Sequence, residues 1–222
     1  EEGREDASLR AWLTPGKPVP VGQALLIALQ IVRGMRHSTD TIPSFVHRDL
    51  KPENVLVGAD HLSNNPINRV RVTDFGLVKH LQAEQVSHAQ GEVAWSSPPV
   101  QLTSAGMLLG TPRYMAPEQW ESADVDMRAD IYALGCILGE MVIGRPLVPD
   151  KARDVLKCLH QSGQALTSVR SAVPTALGNL LANCLAIEPS ERYSEWSAVE
   201  IAVATVFSQL TGHTLPLAEA AE

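Results

Sequence analysis

The chain has 222 residues, of which 45% are apolar and 19% are charged, and its formal net charge is −7 at pH 7. This composition is typical of a globular protein, and the length is sufficient for one large hydrophobic core or two modest ones. The acidic balance argues against a nucleic-acid-binding surface, which needs a basic patch. The apolar runs are far shorter than the roughly 20 residues that cross a bilayer, so we expect no nucleic-acid partner and no membrane segment in this chain.

The amino-terminal part of the sequence predicts two helices. The chain begins at Glu1 rather than at a methionine, which favours a segment of a longer protein. Residues 8–13 have a short helical pattern that ends at a turn rich in Pro and Gly. Apolar residues then recur every three or four positions, which is the period of an amphipathic helix that ends near Arg36. These apolar positions are Val21, Leu25, Leu29, Val32 and Met35.

The polar stretch of residues 47–54, His-Arg-Asp-Leu-Lys-Pro-Glu-Asn, follows this helix. It holds an acid, a base and an amide within six residues, and we expect a loop because loops on rigid supports often carry catalytic groups. Asp49 can accept a proton from a hydroxyl, and Lys51 can neutralise a phosphoryl oxygen. The side-chain carbonyl of Asn54 can bind a hard cation such as Mg²⁺.

Two valine-rich triplets, residues 55–57 and 70–72, predict a two-stranded hairpin with a long polar connection. Residues 74–76, Asp-Phe-Gly, follow the second strand. From there to residues 116–118, Ala-Pro-Glu, the sequence has few helical signals and many Ser, Gln, Pro and Gly residues. We therefore expect a long loop segment between the two tripeptides.

Three helices are predicted in the carboxy-terminal half. Residues 130–141 are apolar on nearly every side, which is typical of a fully buried helix. Two stripes of apolar residues at helical spacing follow, and both predict core faces. The first stripe contains Leu177, Leu180, Leu181, Cys184 and Leu185, and the second contains Val199, Ala202, Val203, Val206 and Leu210.

The cysteines Cys136, Cys158 and Cys184 are odd in number and widely spaced. They lack the paired spacing of a zinc site or a disulfide framework. We therefore expect three reduced thiols in the core, and no metal or redox role.

The three motifs together resemble the protein kinase family. Residues 47–54 match the catalytic loop H-R-D-L-x-x-x-N, and the D-F-G and A-P-E tripeptides follow in the order of the family. Residues 110–119 are similar to bacterial members of the Ser/Thr kinase family. The resemblance implies an α+β, mainly helical fold. This would be the carboxy-terminal lobe of a kinase, with short β-hairpins around the catalytic loop. We expect the lobe to span residues 1–211 and residues 212–222 to form a tail or the start of a linker.

The resemblance also implies catalytic and cofactor-binding roles. Asp49 would orient and deprotonate the substrate hydroxyl, and Lys51 would be a second catalytic group that also contacts ATP. Asn54 and Asp74 would hold two Mg²⁺ ions. Leu56 would pack under the adenine ring, which is compatible with a place in the core.

Other roles implied by the resemblance concern the substrate and the scaffold. Gly110 and Thr111 would belong to the substrate loop, and Thr111 and the position of Lys51 favour Ser/Thr over tyrosine as the acceptor. The expected scaffold contacts are a buried ion pair between the A-P-E glutamate and a late arginine, and a buried aspartate that receives backbone N–H groups of the catalytic loop. The structural residues are His47, Phe75, Glu118, Asp130 and Arg192.

A regulatory role is implied for two basic residues. Arg48 and Lys79 match the positions that bind a phosphate on the activation segment in many kinases. Thr103 and Ser104 are the preferred candidates for this phosphate, followed by Ser96 and Ser97. Met107 stands near the position at which many kinases carry the phosphothreonine, so the expected site is shifted upstream. The alternative is that both cations are solvated surface residues.

The sequence therefore predicts a Ser/Thr protein kinase domain that transfers the γ-phosphate of ATP to protein substrates, with ATP and Mg²⁺ as cofactors. It contains no glycine-rich phosphate loop, no lysine of the V-A-I-K type and no helix glutamate to pair with that lysine. We expect the amino-terminal lobe to lie upstream in the parent protein, and this chain alone to be inactive.

Two alternatives differ in class from a protein kinase. The first is a non-catalytic, kinase-like module that binds partners, and the intact Asp49, Lys51, Asn54 and Asp74 argue against it. The second is a small-molecule phosphotransferase, which is disfavoured by the kinase-like peptide-binding stretch of residues 110–118. We expect a cytoplasmic kinase domain, while tethering to a membrane by other parts of the protein stays open.

Overall fold

The structure is a computed structural model, and it describes residues 7–42, 44–58, 69–75, 112–122 and 124–215. Seven α-helices lie within these ranges: α1 (Leu9–Trp12), α2 (Val21–Thr41), α3 (Arg128–Ile143), α4 (Arg153–Gln161), α5 (Gln164–Arg170), α6 (Thr175–Cys184) and α7 (Trp196–Thr211). The strands are β1 (Ala7–Ser8), β2 (Val55–Gly58) and β3 (Arg69–Val72), and short 3-10 turns cover Pro52–Asn54, Pro112–Tyr114, Pro117–Trp120 and Pro189–Glu191. The expectation of a mainly helical α+β lobe with short strands is confirmed.

The three strands form one antiparallel sheet in the order β1-β2-β3. In the predicted hairpin, Val55 pairs with Val72 and Val57 with Val70. Strand β1 has only two residues and pairs with the other edge of β2. The sequence did not predict β1, because two residues are too few to show an alternating pattern. The central strand β2 follows directly on the catalytic loop and fixes the position at which that loop ends.

Helix α3 lies in the middle of the core, and every residue from position 129 to 142 is buried. Two glycines let its neighbours approach closely. A Cβ at Gly139 would lie 2.6 Å from the Leu147 side chain, and one at Gly135 would lie 2.8 Å from Cys184 Cβ. The helix ends at Ile143, and the next residue, Gly144, closes the last turn in the left-handed conformation with a φ of +73°. The prediction of a fully buried helix is confirmed.

Helix α2 packs between α7 and the sheet. Of its five predicted core positions, four are fully buried and Val21 is partly buried. The helix continues past Arg36 to Thr41, and hydroxyls in this extension bond to carbonyls of the preceding turn. Buried Glu200 of α7 accepts hydrogen bonds from Arg33 and Arg36 of α2, at 2.8 and 3.0 Å. The two helices are therefore joined by an ion pair as well as by apolar contacts.

The structure corrects two predictions about the core. Cys136 and Cys184 are buried free thiols, but Cys158 is exposed. Cys158 lies two positions from each of the buried residues of α4, Leu156 and His160, and two positions turn a helix by about 200°. The predicted stripe on α7 is buried at Val199, Val203 and Val206 and partly buried at Ala202, whereas its last member Leu210 is 37% exposed. The neighbouring residue Thr211 faces α2 at Gly22, so Leu210 is turned away from that contact.

No described helix combines the length and the apolarity that crossing a bilayer requires.

Candidate active site

The catalytic loop is held at its start by the carboxylate of Asp130, in the first turn of α3. The backbone N–H of His47 donates to Asp130 Oδ2 at 2.7 Å, and that of Arg48 donates to Oδ1 at 2.9 Å. Burial raises the pKa of Asp130 to about 7, and the two N–H groups act in the opposite direction. Both carboxylate oxygens are used to fix the two residues before Asp49.

The ring of His47 joins the catalytic loop to the residues that follow β3. Its Nε2 lies 2.9 Å from the carbonyl oxygen of Thr73, and its Nδ1 accepts the backbone N–H of Asp49 at 3.3 Å. A neutral ring with its proton on Nε2 satisfies both contacts, and burial lowers the pKa of His47. The centroid of the His47 ring lies 5.4 Å from that of Phe75, and the Phe75 centroid lies 5.6 Å from that of Phe45. His47 and Phe75 thus fix the loop and the end of β3 to each other.

Asp49, Lys51 and Asn54 meet in one cluster. Lys51 Nζ lies 2.7 Å from Asp49 Oδ2, and Asn54 Nδ2 donates to the Asp49 carbonyl at 2.9 Å and to Oδ2 at 3.3 Å. The side chain of Asp49 is 42% exposed, whereas that of Lys51 is 16% exposed. The carboxylate is therefore held from the protein side and is accessible from solvent.

Asp74 directly follows Thr73, which is hydrogen-bonded to Asn54 next to the β2–β3 pairing. The backbone N–H of Thr73 donates to the Asn54 carbonyl at 2.8 Å, one residue before Asp74. The φ angles of Arg48 and Asp74 are +67° and +57°, in the left-handed region. Such backbone costs about 1–3 kcal/mol for residues other than glycine and is found often at functional sites.

The donor set of this cluster fits a hard cation. The amide nitrogen of Asn54 is used by Asp49, which leaves its oxygen as the ligand atom, and Asp74 adds a carboxylate. Among the residues that the structure describes, no group of three or more His, Cys, Asp or Glu side chains could hold a metal ion.

Leu56 lies in the middle of β2 and is partly buried. Its neighbours Val55 and Val57 are fully buried. Because side chains alternate along a strand, Leu56 lies on the opposite face of the sheet. This is the position from which it could contact a planar ring bound outside the core.

Arg192 and Glu118 form a bidentate ion pair. Arg192 Nη1 lies 2.6 Å from Glu118 Oε1, and Nη2 lies 2.8 Å from Oε2. The Arg192 side chain is completely buried, and it also stacks over the ring of Tyr132 with its Cζ 5.0 Å from the centroid. Its remaining donors bond to the carbonyl groups of Ala186, Ile187 and Arg128.

A second buried network, which the sequence did not predict, lies beside the catalytic loop. Glu140 of α3 is buried and accepts hydrogen bonds from Arg10 of α1, at 2.7 Å, and from the hydroxyl of Tyr114. Arg10 also contacts the Tyr114 hydroxyl and donates to Glu53 at 3.0 Å. Burial raises the pKa of Tyr114 well above its ordinary value. The available signal was Glu140 itself, because a charged residue in an otherwise apolar helix requires a buried partner.

The comparison with known families gives an unambiguous match. The model of the protein kinase domain matches residues 2–207. The chain belongs to the protein kinase domain family. The resemblance found in the sequence is therefore confirmed.

Relatives of this kinase domain include serine/threonine-protein kinases from several bacteria. PrkC of Bacillus subtilis is 29% identical over 205 residues, which cover 91% of this chain and 28% of PrkC. Pkn1 of Myxococcus xanthus is 31% identical over 207 residues, 92% of this chain and 27% of Pkn1. Kinase A of Synechocystis is 33% identical over 186 residues, 79% of this chain and 32% of that kinase. The chain thus spans a third or less of the length of these three relatives.

The kinase fold is also seen in a solved structure, that of the Rad53 kinase domain and SCD2. The TM-score is 0.60 at 17% sequence identity, and the match covers 91% of this chain and 70% of that one. This similarity shows the fold. Members of the kinase family use ATP and Mg²⁺, and the side-chain oxygens of Asn54 and Asp74 are of the kind that Mg²⁺ binds.

Several predicted site residues of this kinase domain lie outside the described residues. They are Lys79, Thr103, Ser104, Gly110 and Thr111. The remaining member of the regulatory set, Arg48, is exposed. The roles of these residues in substrate binding and regulation stay predictions from the sequence.

Proposed function

We propose that the full-length protein is a Ser/Thr protein kinase that transfers the γ-phosphate of ATP to Ser or Thr hydroxyls of protein substrates. The observation that carries this proposal is the cluster in which Lys51 Nζ lies 2.7 Å from Asp49 Oδ2 and Asn54 Nδ2 bonds to Asp49 at 2.9 Å. The names of the bacterial relatives and the position of Lys51 support Ser and Thr as the acceptors.

Asp49 would orient the substrate hydroxyl and accept its proton as the phosphorus–oxygen bond forms. Hydrogen bonds to the backbone of Asp49 and to its Oδ2 hold the exposed carboxylate in place. Little reorganisation of the site is therefore needed during the reaction. Lys51 would contact the transferred phosphoryl group and offset its negative charge.

Asn54 and Asp74 would hold Mg²⁺ through the side-chain oxygen of one and the carboxylate of the other. The ion, when bound, neutralises charge on the phosphates. The hydrogen bonds between Thr73 and the Asn54 carbonyl, at 2.8 and 3.2 Å, keep the two ligand positions in register. Leu56 would contribute an apolar contact to adenine from the outer face of β2.

The proposal concerns the full-length protein. In protein kinases a glycine-rich loop and a strand lysine complete the nucleotide site, and the 222 residues contain neither. Its substrates and partners are proposed only as a class, proteins with Ser or Thr acceptors.

The test is phosphate transfer from ATP to Ser/Thr peptides by the full-length protein. We expect Asp49→Ala to lower kcat by about 10²–10⁴-fold, because a positioned acid–base group contributes about that much. Asp74→Ala should abolish transfer at ordinary Mg²⁺ concentrations, and excess Mg²⁺ should partly restore the activity of this variant.

Asp124→Ala is the matched control, because Asp124 is an exposed acid outside the cluster. Equal transfer by wild type and Asp49→Ala would refute the proposal, and no transfer by either would favour a kinase-like binding module.

A further inference from the structure

Gln119 joins two parts of the site that lie 71 residues apart in the sequence. Its Oε1 accepts the backbone N–H of Ala116 at 2.9 Å. Its Nε2 donates to the carbonyl oxygen of Arg48 at 3.1 Å. One amide side chain therefore bridges the A-P-E tripeptide and the residue that precedes Asp49.

The peptide unit between Arg48 and Asp49 is held on both sides by side chains. Its carbonyl receives Gln119, and its N–H donates to Nδ1 of His47 at 3.3 Å. The N–H of Arg48, one peptide earlier, is bound by Asp130 at 2.9 Å. Every backbone polar group from the Arg48 nitrogen to the Asp49 nitrogen thus has a side-chain partner from outside this dipeptide.

This restraint acts at a strained point of the chain. Arg48 has a φ of +67°, and a left-handed backbone persists in a residue other than glycine only when its surroundings hold it there. The orientation of the Arg48–Asp49 peptide decides the direction in which the Asp49 side chain leaves the backbone. Loss of the Gln119 contact frees the carbonyl end of that peptide.

Gln119 is itself well anchored. The preceding residue, Glu118, is locked by the bidentate pair with buried Arg192. The backbone N–H of Gln119 donates to the Ala116 carbonyl at 3.0 Å, which closes the 3-10 turn. The Gln119 amide is therefore presented from a fixed support.

We propose that Gln119 is a positioning residue for the catalytic aspartate: its amide N–H holds the Arg48 carbonyl and so sets the direction of Asp49. The inference rests on the proposed kinase function. Gln119 would contact neither ATP nor the acceptor hydroxyl, and its effect would pass through Arg48. It would also couple the placement of the A-P-E segment to the catalytic carboxylate.

Two substitutions in the full-length protein separate the roles of the two amide atoms. Gln119→Glu keeps an oxygen for the Ala116 N–H and removes the donor to Arg48, whereas Gln119→Met removes both. We expect both variants to lower kcat about tenfold, which corresponds to about 1.4 kcal/mol, and to leave KM for ATP within twofold. Gln164→Glu is the matched control, since the Gln164 amide donates to Ser168 within helix α5 and not to the catalytic loop. A normal kcat in Gln119→Glu with a reduced kcat in Gln119→Met would show that Gln119 merely caps its own turn, and would overturn the inference.

A second readout does not depend on activity. Hydrogen exchange of the amides of residues 47–51 should be faster in Gln119→Glu than in wild type, while the amides of α3 should keep their protection. If the wild type transfers no more phosphate than Asp49→Ala, the proposed function fails, and faster exchange still supports the positioning contact. Unchanged exchange at residues 47–51 would overturn the inference whether or not the protein is a kinase.

Discussion

Buried polar side chains mark the places at which this domain holds a specific geometry, because burying a polar group costs free energy unless it is hydrogen-bonded. In the described ranges they include His47, Asn54, Asp130 and Arg192, all of which contact the catalytic loop or the A-P-E segment. Arg192 is the most extensively hydrogen-bonded of these four residues, and its acceptors are one carboxylate and three carbonyl groups. Its removal should therefore destabilise the packing between the A-P-E segment, the start of α3 and residues 186–187.

We predict that Arg192→Met destabilises the domain by about 3–5 kcal/mol, because it leaves Glu118 without its counter-charge in a largely buried position. Glu118→Gln should cost a similar amount, since it leaves the completely buried Arg192 cation without its counter-charge. The free energy of opening, measured by hydrogen exchange of the α3 amides in the full-length protein, checks both values. Arg128→Met is the control, because its partner Asp126 is exposed and such surface pairs contribute about 0–1 kcal/mol. A loss below 1 kcal/mol for Arg192→Met would contradict the prediction.

At the residue level, the sequence predicted those contacts that depend on local spacing or on a family motif. Asp49, Lys51 and Asn54 lie within six residues of one another, so one loop is enough to bring them together. Gln119 and Arg10 could not be predicted in the same way. Their partners Arg48 and Glu140 are 71 and 130 residues away, and only the folded chain brings them into contact.

At the level of elements, α3 supports the site at both of its ends. Asp130 in its first turn holds the catalytic loop, and Glu140 in its last turn binds Arg10 and Tyr114. These two acids are separated by about 15 Å along the helix axis at 1.5 Å per residue. The helix dipole favours an acid at the amino end and disfavours one at the carboxyl end, so Glu140 depends more strongly on its cation.

The sequence predicted α3 and the β2–β3 hairpin because each has a clear hydrophobic pattern over enough residues. It did not predict α4 and α5, which are short and have few buried residues. Helix α1 was predicted, but its four residues are too few to be stable alone. Its buried Leu9 and the contact of Arg10 with Glu140 attach it to the core.

We predict that Arg10→Met loosens α1 and the 3-10 turn at residues 112–114 without unfolding the rest of the domain. Glu140 would keep the Tyr114 hydroxyl but lose its charged partner, and we expect a loss of about 1.5–3 kcal/mol, the usual contribution of a hydrogen bond to a charged group. Hydrogen exchange should accelerate at residues 9–13 and 112–116 and change little in α6. Arg145→Met, which removes an exposed arginine just beyond α3, is the control. Unchanged exchange at residues 9–13 would show that Leu9 alone holds α1 in place.

At the scale of the whole molecule, the single core contains titratable groups with opposite effects on the pH dependence of stability. Burial lowers the pKa of His160 to about 4, and the pKa of His47 is also lowered. As the pH decreases below about 6.5, these two histidines bind protons more readily in the unfolded chain than in the folded state. They therefore lower the free energy of unfolding as the pH decreases. Asp130, with a pKa raised to about 7, acts in the opposite direction, since its ionisation costs the folded state free energy as the pH rises.

The contribution of His160 can be isolated by comparing two proteins that both retain Asp130 and His47. We predict that the free energy of unfolding of wild type decreases between pH 6.5 and pH 4 by about 3 kcal/mol more than that of His160→Phe, since one pKa unit corresponds to 1.36 kcal/mol. The substitution keeps an aromatic ring beside Tyr132, whose hydroxyl lies 2.9 Å from His160 Nδ1 and loses that partner at every pH. The lost hydrogen bond therefore changes the free energy of unfolding equally at every pH, whereas protonation of His160 changes its slope against pH.

Hydrogen exchange of the α3 amides, corrected for the intrinsic rate at each pH, measures this slope. His213→Phe provides a control with an exposed histidine. Parallel curves for wild type and His160→Phe would mean that His160 is solvated or charged in the folded protein, contrary to its complete burial.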